Sequence, residues 1–88
     1  VTTVIVYTKP ACVQCNAVKR SLRSKGIPFV EKDLTSEENA EALKWFKSKG
    51  YASAPITQYG DFDFPGFDPV SIDRLVELYE ADHPQDLN

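Results

Sequence analysis

Two strand-like runs separated by one helix-length segment constrain this chain more than any other feature. The first is TTVIVYT at residues 2–8, and the second is IPFVEKDL at residues 27–34. Both carry the β-branched and aromatic side chains that fit a pleated, half-buried surface. Pro10 stops the first run, because proline has no N–H to give to a sheet ladder. A helix is expected to begin near Cys12. Val13, Ala17, Val18 and Leu22 then recur at helical spacing, and Gly26 closes the pattern. Strands joined by a crossover helix lie parallel, and the crossover is right-handed.

The rest of the chain adds to this β-α-β unit. Thr35 followed by Glu38 reads as a capping box. The helix it opens should turn Leu43, Phe46 and Ala42 to the core and end at Gly50. Trp45 and Phe46 are neighbours there and must face different ways. Tyr7 and Phe29 read as core residues. APITQYGDFDF reads as two short strands around a tight Gly60-Asp61 turn. Asp68 before Pro69 is a good N-cap followed by a good first helical residue. Ile72, Leu75, Val76 and Tyr79 then form an apolar stripe. The expected fold is α/β, a mixed four-stranded sheet flanked by three helices in the order βαβαββα. It fills residues 1–80, and residues 81–88 read as a polar, fraying tail.

Composition sets limits on function. With 88 residues the chain holds one domain. Its 42% apolar and 26% charged residues are an ordinary globular balance. The net charge of −3 argues against nucleic acid as a partner, since phosphate binding needs a basic surface. No stretch approaches the ~20 apolar residues of a membrane span. VTTVIVYT has no basic leader and no helix-length apolar core, so it does not read as a signal peptide. A cytoplasmic location is the expectation.

The only two cysteines, Cys12 and Cys15, stand three positions apart. In a reducing compartment they are not expected to form a permanent staple, and so short a loop would gain little from one. Redox exchange or metal binding is left. A structural zinc site needs four ligands. The chain offers these two thiols and His83, which reads as a surface residue of the tail, so zinc would need two chains to pool their cysteines. CxxC beside a β-α-β pattern favours redox exchange, with no metal and no cofactor beyond the cysteine pair. At the mouth of a helix, free N–H groups and the helix dipole favour thiolate over thiol. A thiol of pKa about 8.5 can fall to about 3.5–7.5 in such a place. Cys12 is therefore the expected nucleophile. Cys15, almost one turn further in, should be more buried and should resolve the mixed disulfide. Lys9 is the nearby charge placed to favour the thiolate. Lys19, Arg20, Arg23 and Lys25 with Lys9 form either a positive collar or a solvated helix face.

With CxxC at the first strand–helix junction and SAPIT after the second helix, the chain resembles thioredoxin-fold proteins over nearly its whole length. VYTKPACVQCNAVKRSL is similar to the active-site segment of the NrdH-redoxins, of which Cys-Val-Gln-Cys is a typical form. FPGFDPVSIDRL is similar to their Trp-Ser-Gly-Phe-Arg-Pro segment. The resemblance implies a monomeric carrier, reduced by thioredoxin reductase, that donates electrons to the large subunit of class Ib ribonucleotide reductase. It implies a cis bond at Ala54-Pro55, with the Ala54 backbone open to a docking strand. It also places Val13, Gln14, Gly66 and Phe67 beside the active site as partner-binding residues. The chain departs from the pattern with Phe64 for tryptophan, Pro65 for serine and Asp68 for arginine. In glutaredoxins an acidic residue of that loop binds the glutathione amino group, so Asp68 raises a glutathione-dependent alternative beside its reading as a cap. A further alternative, a redox-switched transcription regulator like Spx, calls for extra helices. Between Thr35 and Ala54 there is room for one helix and little else.

Overall fold

The computed structural model describes residues 3–83. Val4–Thr8 forms β1, Val13–Ser24 forms α1 and Phe29–Asp33 forms β2. A single 3-10 turn, Glu37–Asn39, leads into α2, Ala40–Ser48. Ile56–Tyr59 (β3) and Phe62–Pro65 (β4) make a hairpin, and Pro69–Asp82 forms α3. The sheet order is β2-β1-β3-β4. β1 and β2 are parallel, whereas β1 with β3 and β3 with β4 are antiparallel. This is the expected βαβαββα arrangement of the thioredoxin fold.

The period-2 alternation of β1 divides the core in two. Val4 and Val6 face Val18 and Leu22 of α1 and Ile72 and Leu75 of α3, with Tyr59 and Phe64 from the hairpin. Ile5 and Tyr7 face the other way, toward Phe46 of α2 and Ile56 of β3. A one-residue slip of β1 would exchange these two sets, so burial on both faces pins its register. The edge strand β2 leaves Glu31, Lys32 and Asp33 exposed, and such charges discourage pairing with a foreign strand. Glu31 accepts hydrogen bonds from Lys19 Nζ at 3.0 Å and Thr8 Oγ1 at 2.9 Å. These two partners hold its carboxyl below the usual range.

Several local expectations are corrected. No capping box forms at Thr35. Instead Asp33 accepts from the Thr35 N–H at 2.8 Å and from its hydroxyl, a side-chain turn that ends β2. The chain then passes through the 3-10 turn, and α2 starts only at Ala40, with no side-chain cap. Val13 does not join the core stripe of α1. It is 84% exposed, because at 100° per residue it lies on the side of the helix opposite the buried Cys15, Val18 and Leu22. The expected strand start shifts to Val4; Thr3 lies outside it, and Thr2 lies outside the described residues. At the other end, α3 runs on to Asp82, which accepts from the Tyr59 hydroxyl at 2.6 Å. Nor is His83 a plain surface residue. It is half-buried, its ring stacks on Tyr79 at 4.2 Å, and its Nδ1 lies 3.0 Å from the Tyr79 carbonyl oxygen. Residues 84–88 of the expected tail lie outside the described residues.

Candidate active site

β1 leaves the sheet at Thr8, and the chain turns through Pro10 and Ala11 before α1 begins. Ala11 has φ +54°, a left-handed conformation that costs an L-residue roughly 1–2 kcal/mol. Cys12 follows as the extended N-cap, with φ −115° and ψ 105°. Its Sγ accepts from the Cys15 N–H at 3.1 Å. Cys12 and Cys15 are joined in a disulfide with Cα atoms 5.2 Å apart. Cys15 is 2% exposed and Cys12 8%, so Cys12 is the outer sulfur, as the one-turn spacing predicts.

The wall facing the disulfide comes from the other half of the chain. Ala54-Pro55 is a cis peptide bond. Ala54, Leu34, Tyr7, Phe46 and Ile56 pack with both cysteines in one apolar cluster. Burial in this cluster pushes the Tyr7 hydroxyl pKa up. The Pro55 carbonyl oxygen accepts from the Gly66 N–H at 2.8 Å. Gly66 has φ +72°, and a Cβ built there would lie 3.8 Å from Gln14 Oε1. The fold therefore brings Cys12, Cys15, Ala54 and Pro55 together and sets Gln14 against Gly66. Val13 and Phe67 are exposed on this end of the molecule.

Charges around the pair are sparse. Lys9 is exposed and makes no ion pair among the described residues. The basic collar dissolves: Lys19 pairs with Glu31 at 3.0 Å, Lys25 with Asp73 at 3.6 Å, and Arg23 lies over the Phe29 ring. Asp68 is the N-cap of α3 and accepts from the Val70 and Ser71 N–H groups and the Ser71 hydroxyl. Elsewhere Asp63 accepts from Lys49 Nζ and the Tyr51 hydroxyl. That hydrogen bond, with burial, pushes Tyr51 up to about 12. Among the described residues no group of three or more His, Cys, Asp or Glu side chains could hold a metal ion. No described helix is long and apolar enough to cross a membrane. Two exposed apolar residues, Val30 of β2 and Val70, were not singled out from sequence. Val70 in the first turn of α3 is 78% exposed, and its signal was being out of phase with the Ile72–Leu75–Tyr79 stripe.

A buried-and-outer cysteine pair capping the first helix of this fold defines a thiol-disulfide oxidoreductase. The glutaredoxin family model matches residues 4–60. The chain is 35% identical over 74 residues to the glutaredoxin-like protein NrdH of Salmonella typhimurium, covering 82% of this chain and 86% of that one. It is 36% identical over 81 residues to the gene 56 protein of Mycobacterium phage L5, covering 89% of this chain and 76% of that one. The solved Escherichia coli NrdH-redoxin, described as glutaredoxin-like with a thioredoxin-like activity profile, superposes with a TM-score of 0.72. It is 32% identical and covers 83% of this chain and 93% of its own. The chain belongs to the glutaredoxin family, in its NrdH-redoxin branch.

Proposed function

We propose that this protein is a cytoplasmic, monomeric dithiol carrier that takes electron pairs from thioredoxin reductase. It passes them to the large subunit of a class Ib ribonucleotide reductase. No bound cofactor is needed, since the electron pair resides in the Cys12–Cys15 dithiol. In the reduced protein the Cys12 thiolate attacks one sulfur of the target disulfide. A mixed disulfide forms, and the other target sulfur leaves as a thiolate and takes a proton. Deprotonated Cys15 then attacks Cys12 Sγ. The second target sulfur leaves and is protonated in turn. The balance is one target disulfide reduced to two thiols and one Cys12–Cys15 disulfide formed. Thioredoxin reductase then reduces the Cys12–Cys15 disulfide back to the dithiol with two electrons and two protons. The Cys15 N–H that bonds Cys12 Sγ is placed to hold the developing thiolate.

The observation that carries the choice of electron donor is the state of Asp68. Its carboxylate already accepts from three donors of its own helix, which supports its role as a cap over a role in holding the amine of glutathione. The NrdH relatives and the thioredoxin-like profile of the Escherichia coli neighbour support the same choice. The test is NADPH consumption with a disulfide substrate under two supplies, thioredoxin reductase or glutathione with glutathione reductase. Turnover with thioredoxin reductase alone is expected. Turnover sustained by glutathione would reassign Asp68 and the donor. Cys15→Ser is expected to stop dithiol turnover and leave a mixed disulfide on Cys12, read as an added mass that dithiothreitol removes.

A further inference from the structure

Beside the disulfide lies a groove of about 360 Å3. Its walls include Lys9, Leu34, Leu43, Lys47, Ser53 and Ala54. Leu34 and Ala54 also belong to the cluster that packs both cysteines, so the groove shares a wall with the reactive pair. Its floor is apolar, its two charges are both ammonium groups, and no carboxylate lines it. That is unusual in a chain with 13 acidic against 10 basic residues. The carboxylate nearest in sequence, Asp33, is tied to Thr35 by two hydrogen bonds. Lys19, Lys25 and Lys49 all have carboxylate partners, whereas Lys9 and Lys47 have none among the described residues.

We propose that this groove receives an aspartate or glutamate side chain of the substrate protein, carried on the segment that bears the target disulfide. The inference rests on the disulfide-exchange reading above and adds a rule about which disulfides react fast. Two ammonium groups flanking an apolar trough attract one carboxylate, and Leu34 and Leu43 receive its methylene stem. Opposite charges at such an interface mainly set encounter rate and register. A substrate held there by its acidic residue presents its disulfide at a fixed offset toward Cys12.

The experiment uses the full chain, reduced with dithiothreitol and freed of it, in single-turnover exchange with small disulfides. The probes are a disulfide-linked peptide with glutamate on each side of its cysteine, the same peptide with glutamine, neutral hydroxyethyl disulfide, and oxidised glutathione. In low salt the glutamate peptide is expected to react about three- to tenfold faster than the glutamine peptide. The ratio should shrink as salt is added. Lys47→Gln should lower it, Lys9→Gln with Lys47→Gln should bring it close to one, and Lys47→Arg should keep it. Equal rates for the two peptides, or a ratio unmoved in the double variant, would overturn the proposal. So would oxidised glutathione gaining as much from the two lysines as the acidic peptide, since that describes a small-anion site. No exchange with any of the four disulfides would instead sink the redox reading itself.

Discussion

Cys12 and Asp68 stand at the same structural position in two different helices. Both are extended, with φ and ψ of −115° and 105° for Cys12 and −127° and 99° for Asp68. Each side chain accepts a backbone N–H of its own first turn. Each is also reached through a left-handed residue, Ala11 in one case and Gly66 in the other. The difference is the accepting atom. Asp68 offers a carboxylate, a strong cap with charge suited to the dipole. Cys12 offers sulfur, a weak acceptor. The α1 terminus therefore retains the unmet demand for negative charge that favours a thiolate, while the same demand at α3 is already satisfied. One helix start serves stability, and the other leaves its electrostatic potential for chemistry.

The sharpest way to break this contrast is Cys12→Ser. Serine is a good N-cap, so the variant is expected to match or exceed reduced wild type in stability, by up to about 1 kcal/mol. Its exchange should fall to background. Denaturant unfolding and the NADPH assay read the two separately, and full activity in this variant would refute the mechanism. The next effect in size is Asp68→Ala, expected to cost about 1 kcal/mol. Cys12→Ala in the reduced state should cost less than half of that, about 0.5 kcal/mol or under. Equal losses would mean that sulfur caps as well as carboxylate does.

The far end of α3 provides a pH test. Burial and the Asp82 carboxylate hold Tyr59 up to about 12, against an ordinary 10.0. The folded state keeps that proton longer than the unfolded chain. The stability it adds is complete below about 10 and is lost as pH rises through about 12. Tyr59→Phe should flatten this part of the alkaline unfolding profile, while Tyr51, also raised to about 12 by its Asp63 bond, keeps its own share. An unchanged profile would remove Tyr59 from the account. The smallest effect is Ala11→Gly. Relief of the left-handed strain exceeds the entropy cost of glycine, and a gain of about 0.5 kcal/mol is expected, seen as a slightly higher Tm. A lower Tm would show that Ala11 is not strained.

Much of this was legible in the chain because local signals and tertiary demands agree. β1, α1, the Gly60-Asp61 hairpin and the Asp68-Pro69 start of α3 each announce themselves in a few residues. Cys12 and Cys15 fell in the expected order of burial because one helical turn separates them. Other features escaped where distance in sequence mattered. Val13 sits four residues before Ala17 at a helical spacing, but the face that the sheet selects is Cys15–Val18–Leu22, half a turn round the helix from it. Thr35 had the letters of a capping box, yet Asp33 competes for its N–H two residues earlier. The pairing of Lys9 with Lys47 across one groove joins segments nearly forty positions apart, and no local pattern records it. His83 reads as tail until Tyr79 supplies a ring beneath it.

The bond from the Gly66 N–H to the Pro55 carbonyl oxygen extends the β3–β4 ladder one step beyond its last paired residues, Ile56 and Pro65. It fastens the loop leading to α3 onto the wall of the site before any partner arrives. Binding then orders little of the carrier, so most of the conformational entropy lost at docking belongs to the incoming chain.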